Sequence, residues 1–366
     1  MGIFIDFIIN FLPKKLAQRL SRRLLGKIDY CFLIHSRDYT DLYRRFPLLK
    51  ITPFFFTRFL GRIMFPVRAG YIHGLASGKN KKKGVFVGSP MDAKDMIKNR
   101  NLAEKKIIKA ARFAEKLGVG HIGLGALSAS FTKNGHSLED KVDCLVTTGH
   151  SLTAWVVSQN AIEIQRLSGK RLVLAIVGAG GSMGSSCFGV LEDHFDKFIL
   201  IDKDLKRLGD KINLAQSSII KYSSDIKDIY SADVIITVTN APYAIINDSQ
   251  QLSKGTVVID DAQPINASRD VNSKERKTLV IEGGVCHKKD LHYNLDLNLL
   301  DKGDMFSCMG ELITLSALDS DFVTIGDTNK NKVLKIAKLA ESIGIQKARF
   351  RSFGEPINES YIKTLF

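Results

Sequence analysis

The sequence lacks the patterns that mark membrane-spanning, disulfide-bonded or metal-binding proteins. No run reaches the roughly 18 apolar residues needed to cross a bilayer. Ile3–Leu12 is apolar, but it is short, contains Asp6 and Asn10, and has no cleavage site, so we do not expect a signal peptide. The cysteines are odd in number and scattered, with no CxxC or metal-ligand spacing, at Cys31, Cys144, Cys187, Cys286 and Cys308. This usage predicts a reducing, cytoplasmic location and no metal site.

Positive charge is concentrated near the N-terminus. The 366 residues carry a net charge of +15, and 45% of them are hydrophobic, as in ordinary globular proteins. Residues 1–120 contain 25 Lys and Arg but only 8 Asp and Glu, whereas the remainder contains 28 and 30. A basic surface of this kind suits an acidic partner or an anionic membrane. We expect no nucleic acid, because the basic region has no recognised module with interleaved exposed aromatic residues.

Residues 1–29 combine apolar and basic character. Phe4, Phe7 and Phe11 precede Pro13, which predicts two short helices. A helical stripe of leucines then runs beside basic residues at positions 14–27. The pattern is consistent with two arrangements, a segment that lies on a membrane surface and a segment that packs on the body of the protein.

Residues 171–204 have the strand–turn–helix–strand order of a dinucleotide-binding motif. An apolar run ends at Gly178, and Gly181 and Gly184 complete a G-x-x-G-x-x-G spacing. The first glycine permits a sharp turn, the second permits close approach of a pyrophosphate, and the third permits close packing of helix and sheet. The helix N-terminus then favours phosphate. The alternative is a purely structural glycine turn.

The predicted cofactor is NADPH or NADH. Asp202 ends the second strand, where a carboxylate binds the ribose of NADH and repels the 2′-phosphate of NADPH, and Lys203 partly offsets that repulsion. Asn240, Asp260 and Gly283 follow later strands at the edge where ligands gather, although turn formation alone would also explain them. The predicted cofactor-binding residues are Gly178, Gly181, Ser182, Met183, Gly184, Asp202, Lys203, Asn240 and Gly283.

The fold class predicted from these elements is α/β, with a Rossmann-type dinucleotide-binding domain at residues 146–290. Residues 30–145 alternate strands and helices and form an N-terminal α/β substrate domain. Residues 1–29 precede it as a basic amphipathic segment, and residues 291–366 form a C-terminal helical segment. In that last segment Asp304 is the predicted N-cap of a helix whose first turn contains Cys308. A helix N-terminus favours a thiolate, but an apolar stripe around it makes Cys308 consistent with a buried core position as well.

Four separated motifs together resemble the long-chain fatty acyl-ACP reductases, which form aldehydes. They are TTGHSLTAWVV, VGAGGSMGS, IEGGV and MFSCMGE, and the loop GLGALSAS at 123–130 agrees with them. The resemblance covers about residues 110–320. It implies that Cys308 attacks an acyl thioester of acyl carrier protein or coenzyme A, and that a nicotinamide cofactor then delivers hydride. Family members place a small residue and Arg where this chain has Asp202 and Lys203.

Several hydroxyl and imidazole groups are candidates to assist the cysteine. Thr148, His150, Ser151 and Thr153 lie in the TTGHSLT motif and could stabilise an oxyanion, and His150 either donates a proton or caps a helix. Two other functions are consistent with the sequence. One is an amino-acid or shikimate-type dehydrogenase, which would not need Cys308, and the other is a membrane-associated dinucleotide-binding protein without catalysis.

Overall fold

The computed structural model describes residues 2–36, 43, 47–77, 80–125, 127–212, 219–262, 264–322 and 324–366. The chain forms two compact units. The first unit comprises Met1–Gly149, Lys289–Leu297 and Cys308–Gly326, and the second comprises His150–Lys288, Asn298–Ser307 and Asp327–Phe366. Residues 291–366, predicted as one C-terminal segment, are therefore divided between the two units.

The helices, in chain order, are α1 Gly2–Phe11, α2 Lys14–Leu25, α3 Phe54–Ile63, α4 Ala93–Lys98, α5 Arg100–Leu117, α6 Leu127–Phe131, α7 His150–Ser168, α8 Ser182–Leu191, α9 Leu205–Lys211, α10 Ser307–Ala317, α11 Lys330–Ser342 and α12 Glu359–Lys363.

The strands are β1 Tyr30–Ser36, β2 Val67–Ser77, β3 Asn80–Asp92, β4 His121–Leu124, β5 Leu145–Thr147, β6 Val173–Val177, β7 Lys197–Ile201, β8 Ile220–Ser223, β9 Val234–Thr237, β10 Val257–Asp260, β11 Leu279–Glu282, β12 Val285–Lys288, β13 His292–Tyr293, β14 Asp304–Phe306, β15 Ile345–Lys347, β16 Arg351–Ser352 and β17 Glu355–Pro356.

The first unit is built on a mixed sheet with the order β13-β2-β3-β1-β4-β5. Strand β1 pairs in parallel with β3 and β4, and β2 runs antiparallel to β3. Helix α5 ends at Gly118, whose φ of +89° suits the left-handed cap that glycine provides. Buried side chains of α5 and of the parallel strands form one core, to which Ile107, Phe113 and Ile122 belong.

The N-terminal segment packs on the first unit. Pro13 separates α1 from α2, as the sequence predicts. Ile9 and Ala17 are fully buried in the core of this unit, and Ser21 donates a hydrogen bond to the Leu117 carbonyl oxygen of α5. The segment therefore contributes to the hydrophobic core through one side of each helix.

The second unit contains a six-stranded parallel sheet with the order β11-β10-β9-β6-β7-β8. In chain order along the sheet this is the 3-2-1-4-5-6 arrangement of the Rossmann fold. The apolar β-branched runs of β6, β9 and β10 are almost completely buried, as expected for strands covered on both faces. The predicted α/β class and Rossmann-type domain are confirmed.

The predicted cap of the cysteine-bearing helix is wrong. Asp304 lies in strand β14, not at a helix start, and its carboxylate accepts hydrogen bonds from His287 Nδ1 at 2.9 Å and the Asp301 N–H at 3.2 Å. Strand β14 pairs with β12, and this pairing replaces the capping that the local sequence suggests. Helix α10 begins at Ser307 instead, so Cys308 still lies in its first turn.

Candidate functional site

The glycine turn in the second unit has the geometry required for a dinucleotide. Gly178 follows β6 with a φ of +89°, and a Cβ there would lie 2.8 Å from the Val238 carbonyl oxygen. A Cβ on Gly184 would lie 2.2 Å from the Gly178 carbonyl oxygen, so only glycine lets α8 approach the turn. Gly181 is the N-cap of α8 and has no side chain to occupy the first N–H groups of the helix. The turn therefore fits a pyrophosphate at the amino end of α8, beside Ser182 and Met183.

Asp202 lies buried at the carboxyl end of β7 and binds the glycine turn. Its carboxylate accepts hydrogen bonds from the Gly180 N–H at 2.9 Å and the Asp204 N–H at 3.0 Å. Arg207, in α9, donates to both carboxylate oxygens at 2.8 and 2.9 Å. Because the carboxylate already accepts from Arg207, a ribose hydroxyl would bind in competition with the guanidinium or beside it.

Arg207 is a candidate cofactor residue that the sequence reasoning missed. Its side chain is about half exposed, at 53%, whereas Asp202 is buried. A guanidinium at this position suits an anionic 2′-phosphate better than the exposed Lys203, because it presents a planar set of donors. The signal in the sequence was an arginine in the first turn of α9, the helix that follows Asp202.

Ser151 is connected to the glycine turn through Thr328. The Ser151 and Thr328 hydroxyls lie 2.7 Å apart, and the Thr328 N–H donates to Ser182 Oγ at 2.9 Å. These residues join the start of α7 to the start of α8 within the second unit. Ser151, predicted as a catalytic hydroxyl, thus lies near Ser182, one of the predicted cofactor-binding residues.

His150 is neutral at pH 7. The desolvation of its ring lowers the pKa of the imidazole to about 4, although the nearby charge of Asp327 opposes the shift. The residue begins α7 and is half-buried. A neutral imidazole can donate a hydrogen bond from one ring nitrogen, but it carries no positive charge at neutral pH.

The remaining predicted positions lie where β9, β10 and β11 end. Asn240 is exposed beyond β9, and the Gly283 carbonyl oxygen accepts from Asn160 Nδ2 at 2.9 Å. The Asp260 carboxylate accepts from Thr237 Oγ1 at 2.7 Å and from three backbone N–H groups of residues 262–267. Asp260 therefore acts as a turn-forming residue. A Cβ on Gly284 would lie 1.8 Å from Asp261 Oδ1, which explains the second glycine of the pair.

Cys308 lies in the first unit, half-buried, as the second residue of α10. Gly149 packs directly on it, since a Cβ at position 149 would lie 2.3 Å from both Cα and Cβ of Cys308. The φ of Gly149 is +76°, a conformation that favours glycine for a second reason. Gly149 of the predicted motif therefore borders the cysteine.

A buried hydrogen-bond network fixes this loop against α10. Thr147 Oγ1 donates to Glu311 Oε1, and Glu311 lies one helical turn after Cys308 and is fully buried. The same Thr147 oxygen accepts from Thr324 Oγ1 at 2.6 Å and from the Gly149 N–H at 3.1 Å. Glu311 and Thr147 were missed as site residues, although a glutamate within an apolar helix was a signal that it had a buried partner.

The hydroxyl of Thr148, a predicted oxyanion donor, forms a hydrogen bond within the first unit. Thr148 Oγ1 donates to the Thr324 carbonyl oxygen at 3.0 Å. A hydroxyl has one hydrogen, so it cannot donate to this carbonyl and to an oxyanion at once. Its contribution here is to hold the loop in place. Thr153, the other predicted hydroxyl, is buried within α7.

Three other cysteines have environments that disfavour a thiolate. Burial raises the pKa of Cys31 well above its usual range. It also raises the pKa values of Cys144 and Cys187 to about 12 each. Since the thiolate is the nucleophile, these three cysteines are unsuited to covalent catalysis at neutral pH.

The described part of the chain lacks two features, a metal-binding cluster and a membrane-spanning helix. Within it, no group of three or more His, Cys, Asp and Glu residues is arranged to hold a metal ion. Its helices are all too short or too polar to cross a bilayer.

No family model matches the chain. It is 24% identical over 233 residues to the long-chain acyl-[acyl-carrier-protein] reductase of Synechococcus elongatus, a match that covers 58% of this chain and 66% of the reductase. The chain thus spans slightly less than two thirds of that relative's length.

Among solved structures, L-tryptophan dehydrogenase from Nostoc punctiforme is 11% identical, with 87% of this chain and 81% of the other covered and a TM-score of 0.35. A chorismate mutase/shikimate 5-dehydrogenase fusion protein from Clostridium acetobutylicum is also 11% identical, with 87% and 99% covered and a TM-score of 0.34. By sequence, the chain is distantly similar to an acyl-carrier-protein reductase over part of both sequences.

Proposed function

We propose that the protein is an NAD(P)H-dependent oxidoreductase that reduces a fatty acyl thioester, carried by acyl carrier protein or coenzyme A, to an aldehyde. The observation that carries the proposal is the placement of Cys308. It lies in the first turn of α10, only half-buried, with Gly149 packed on its backbone and Glu311 fixing the adjacent loop. The distant similarity to the Synechococcus elongatus reductase supports it.

The cysteine would act as the acyl acceptor. Attack of its thiolate on the thioester carbonyl forms a new carbon–sulfur bond, breaks the bond to the carrier sulfur, and releases the carrier thiol after protonation. The amino end of α10 favours the thiolate form of Cys308 through the helix dipole. The acyl group is then held as a thioester on the protein.

The glycine turn and its neighbours would hold the coenzyme. Gly178, Gly181 and Gly184 leave room for its pyrophosphate, while Asp202 and Arg207 lie where the adenosine ribose is recognised in this fold. When bound, NADPH or NADH supplies the hydride that converts the acyl thioester into an aldehyde and regenerates the cysteine thiolate.

The test is acylation in the absence of coenzyme. Intact-protein and peptide mass spectrometry after incubation with palmitoyl-CoA or palmitoyl-acyl carrier protein should show one added acyl mass on the peptide that contains Cys308. Cys308→Ala should abolish the adduct. Cys144→Ala is the matched control and should leave the adduct unchanged, because burial raises the pKa of Cys144 to about 12.

Two outcomes would contradict the proposal. If Cys308→Ala retained full reductase activity, the protein would be another dehydrogenase on the same scaffold. If the protein bound coenzyme but formed no adduct and no aldehyde with either carrier, it would be a binding protein without this catalysis.

A further inference from the structure

Exposed apolar side chains are concentrated at the N-terminal end of the chain. Among the described residues, eighteen large hydrophobic side chains are exposed, and eleven of them lie between residues 3 and 63. The other seven are scattered between residues 145 and 334. Single exposed hydrophobic residues are normal, whereas contiguous exposed apolar patches mark interaction surfaces.

Helix α1 turns its polar side chains inward and its aromatic side chains outward. Asp6 is fully buried, and its carboxylate accepts from the Arg68 backbone N–H at 3.0 Å and from the Arg68 guanidinium. Asn10 donates to the Pro66 carbonyl oxygen at 3.1 Å. On the opposite side Phe4 and Phe11 are 68% and 71% exposed. A surface helix that faces water normally has a polar outer side, so the orientation of α1 is the reverse of the usual one.

Helix α3 repeats the same inverted arrangement. Arg58 and Arg62 both donate to the Asp95 carboxylate, with Nε distances of 2.9 and 2.8 Å. Phe55 and Phe59, four residues apart on one side of the helix, are 73% and 54% exposed. The charged groups of α3 thus bind Asp95 within the unit, while Phe55 and Phe59 are exposed.

A short segment of chain connects α3 to residues that contact α1. Helix α3 ends at Ile63, and the segment 64–66 follows it directly. On the α1 side, the rings of Phe7 and Phe65 meet edge to face with centroids 5.6 Å apart. The Asn10–Pro66 hydrogen bond lies beside this contact. Residues that contact α1, Phe65 and Pro66, thus follow α3 within three residues of its end.

Helix α2 adds positive charge next to α1. Leu16 and Leu24 are exposed on its outer side, and Leu20 lies between them half-buried. The exposed basic residues beside these leucines are Lys15, Arg19, Arg22 and Arg23. In the described part of the chain none of the four forms an ion pair with an acid. An apolar stripe beside unpaired basic side chains is the composition of helices that lie at a membrane interface.

We propose that α1, α2 and α3 form a docking surface for an anionic lipid bilayer, with the phenylalanines in the acyl boundary and the basic residues of α2 at the headgroups. A bilayer interface accepts apolar side chains at any spacing and attracts basic groups to its anionic headgroups. Helices of 10, 12 and 10 residues are too short to span it, so the protein binds at the surface. The proposal does not depend on the proposed function.

Removal of residues 1–27 is not a clean test, because Ile9 and Ala17 belong to the core. Substitution of outward-facing residues is better. The proteins compared are the wild-type chain and two double variants, Phe4→Ser/Phe11→Ser and Phe55→Ser/Phe59→Ser. Binding is measured by flotation with large phosphatidylcholine vesicles that contain either no phosphatidylserine or about 30% of it. Wild type should float with the anionic vesicles in low salt, and each double variant should bind at least about tenfold more weakly. Far-UV circular dichroism melts should show that both variants remain folded.

The charge contribution is tested separately. Replacement of Lys15, Arg19, Arg22 and Arg23 by Gln should remove the preference for phosphatidylserine. Two matched control variants carry their substitutions on the second unit and should bind vesicles like wild type. Tyr243→Ser/Leu334→Ser is the control for the apolar variants. Replacement of four exposed lysines by Gln is the control for the charge variant, at Lys227, Lys254, Lys274 and Lys338.

Three outcomes would overturn the proposal. The first is that the wild-type protein fails to bind anionic vesicles. The second is that the phenylalanine variants bind these vesicles as well as the wild-type protein does. In the third, the protein would bind an acidic acyl carrier protein through the same residues but not vesicles, which would make the surface a protein dock. Cys308→Ala should bind vesicles like wild type, so that membrane docking and the proposed chemistry are judged independently.

Discussion

The backbone of Gly149 lies against Cys308 so closely that a Cβ at position 149 would be 2.3 Å from the Cα of the cysteine. The glycine ends the Thr-Thr-Gly loop after β5, and the cysteine begins α10. Two segments far apart in the chain are thus joined at the proposed nucleophile. A side chain at position 149 would displace the start of α10.

We expect Gly149→Ala to destabilise the protein and to abolish acylation of Cys308. Its φ of +76° costs a non-glycine residue about 1–2 kcal/mol, and overlap with Cys308 adds to that cost. Gly118→Ala is the matched control, because Gly118 has a φ of +89° but no other atom lies within 4 Å of the position that a Cβ would occupy there. Urea denaturation and mass spectrometry should separate the two variants. Equal losses of stability, with acylation retained in both, would show that the contact is unimportant.

The Thr147–Glu311 hydrogen bond should stabilise the cysteine site. Thr147→Val removes the hydroxyl that donates to Glu311 and accepts from the Gly149 N–H. Loss of a partner for a buried polar group costs about 1–3 kcal/mol, so the free energy of unfolding should fall by that amount. Exposed Thr364→Val should stay within about 0.5 kcal/mol of wild type. A Thr147→Val protein of wild-type stability and acylation rate would argue against a structural role for the network.

Coenzyme preference should depend on the Asp202–Arg207 pair. Asp202→Ala removes a carboxylate that would repel a 2′-phosphate and frees Arg207 to bind it. We expect the ratio of kcat/KM for NADPH to that for NADH to rise about tenfold, which corresponds to about 1.4 kcal/mol. Arg207→Ala should lower the ratio, and Lys203→Ala should change it less. A larger effect at Lys203 would place the phosphate away from Arg207.

Asp261 should make stability fall as pH rises. Desolvation, reinforced by the charge of Asp260, raises the pKa of the Asp261 carboxyl to about 8. The folded state therefore holds a proton that the unfolded chain has released above about pH 4, so the folded state loses stability between about pH 4 and 8. Asp261→Asn removes this titration, and its urea midpoint should decline less over that range. Exposed Asp270→Asn is the control. Parallel pH curves for wild type and Asp261→Asn would contradict the shift.

Local signals in the sequence were sufficient for the dinucleotide-binding motif. The strand, the glycine turn, the helix and the second strand follow one another within about thirty residues, and each depends on neighbours a few positions away. Pro13 breaks the N-terminal helices for an equally local reason, since it cannot continue the first one. The same kind of reasoning failed at Asp304, because pairing of β14 with β12 replaced the cap that the local pattern favours.

What the sequence by itself determined was the apolar strands of the Rossmann domain, the position of the glycine turn and the place of Cys308 at a helix start. Only the tertiary structure decided that Thr147 pairs with Glu311, 164 residues away, and that Ser151 is linked to Ser182, beside the glycine turn, through Thr328. It also decided that α1 buries Asp6 and exposes Phe4 and Phe11. The sequence left the orientation of this segment open, because the buried Asp6 carboxylate binds Arg68, a partner 62 residues away that no local pattern can identify.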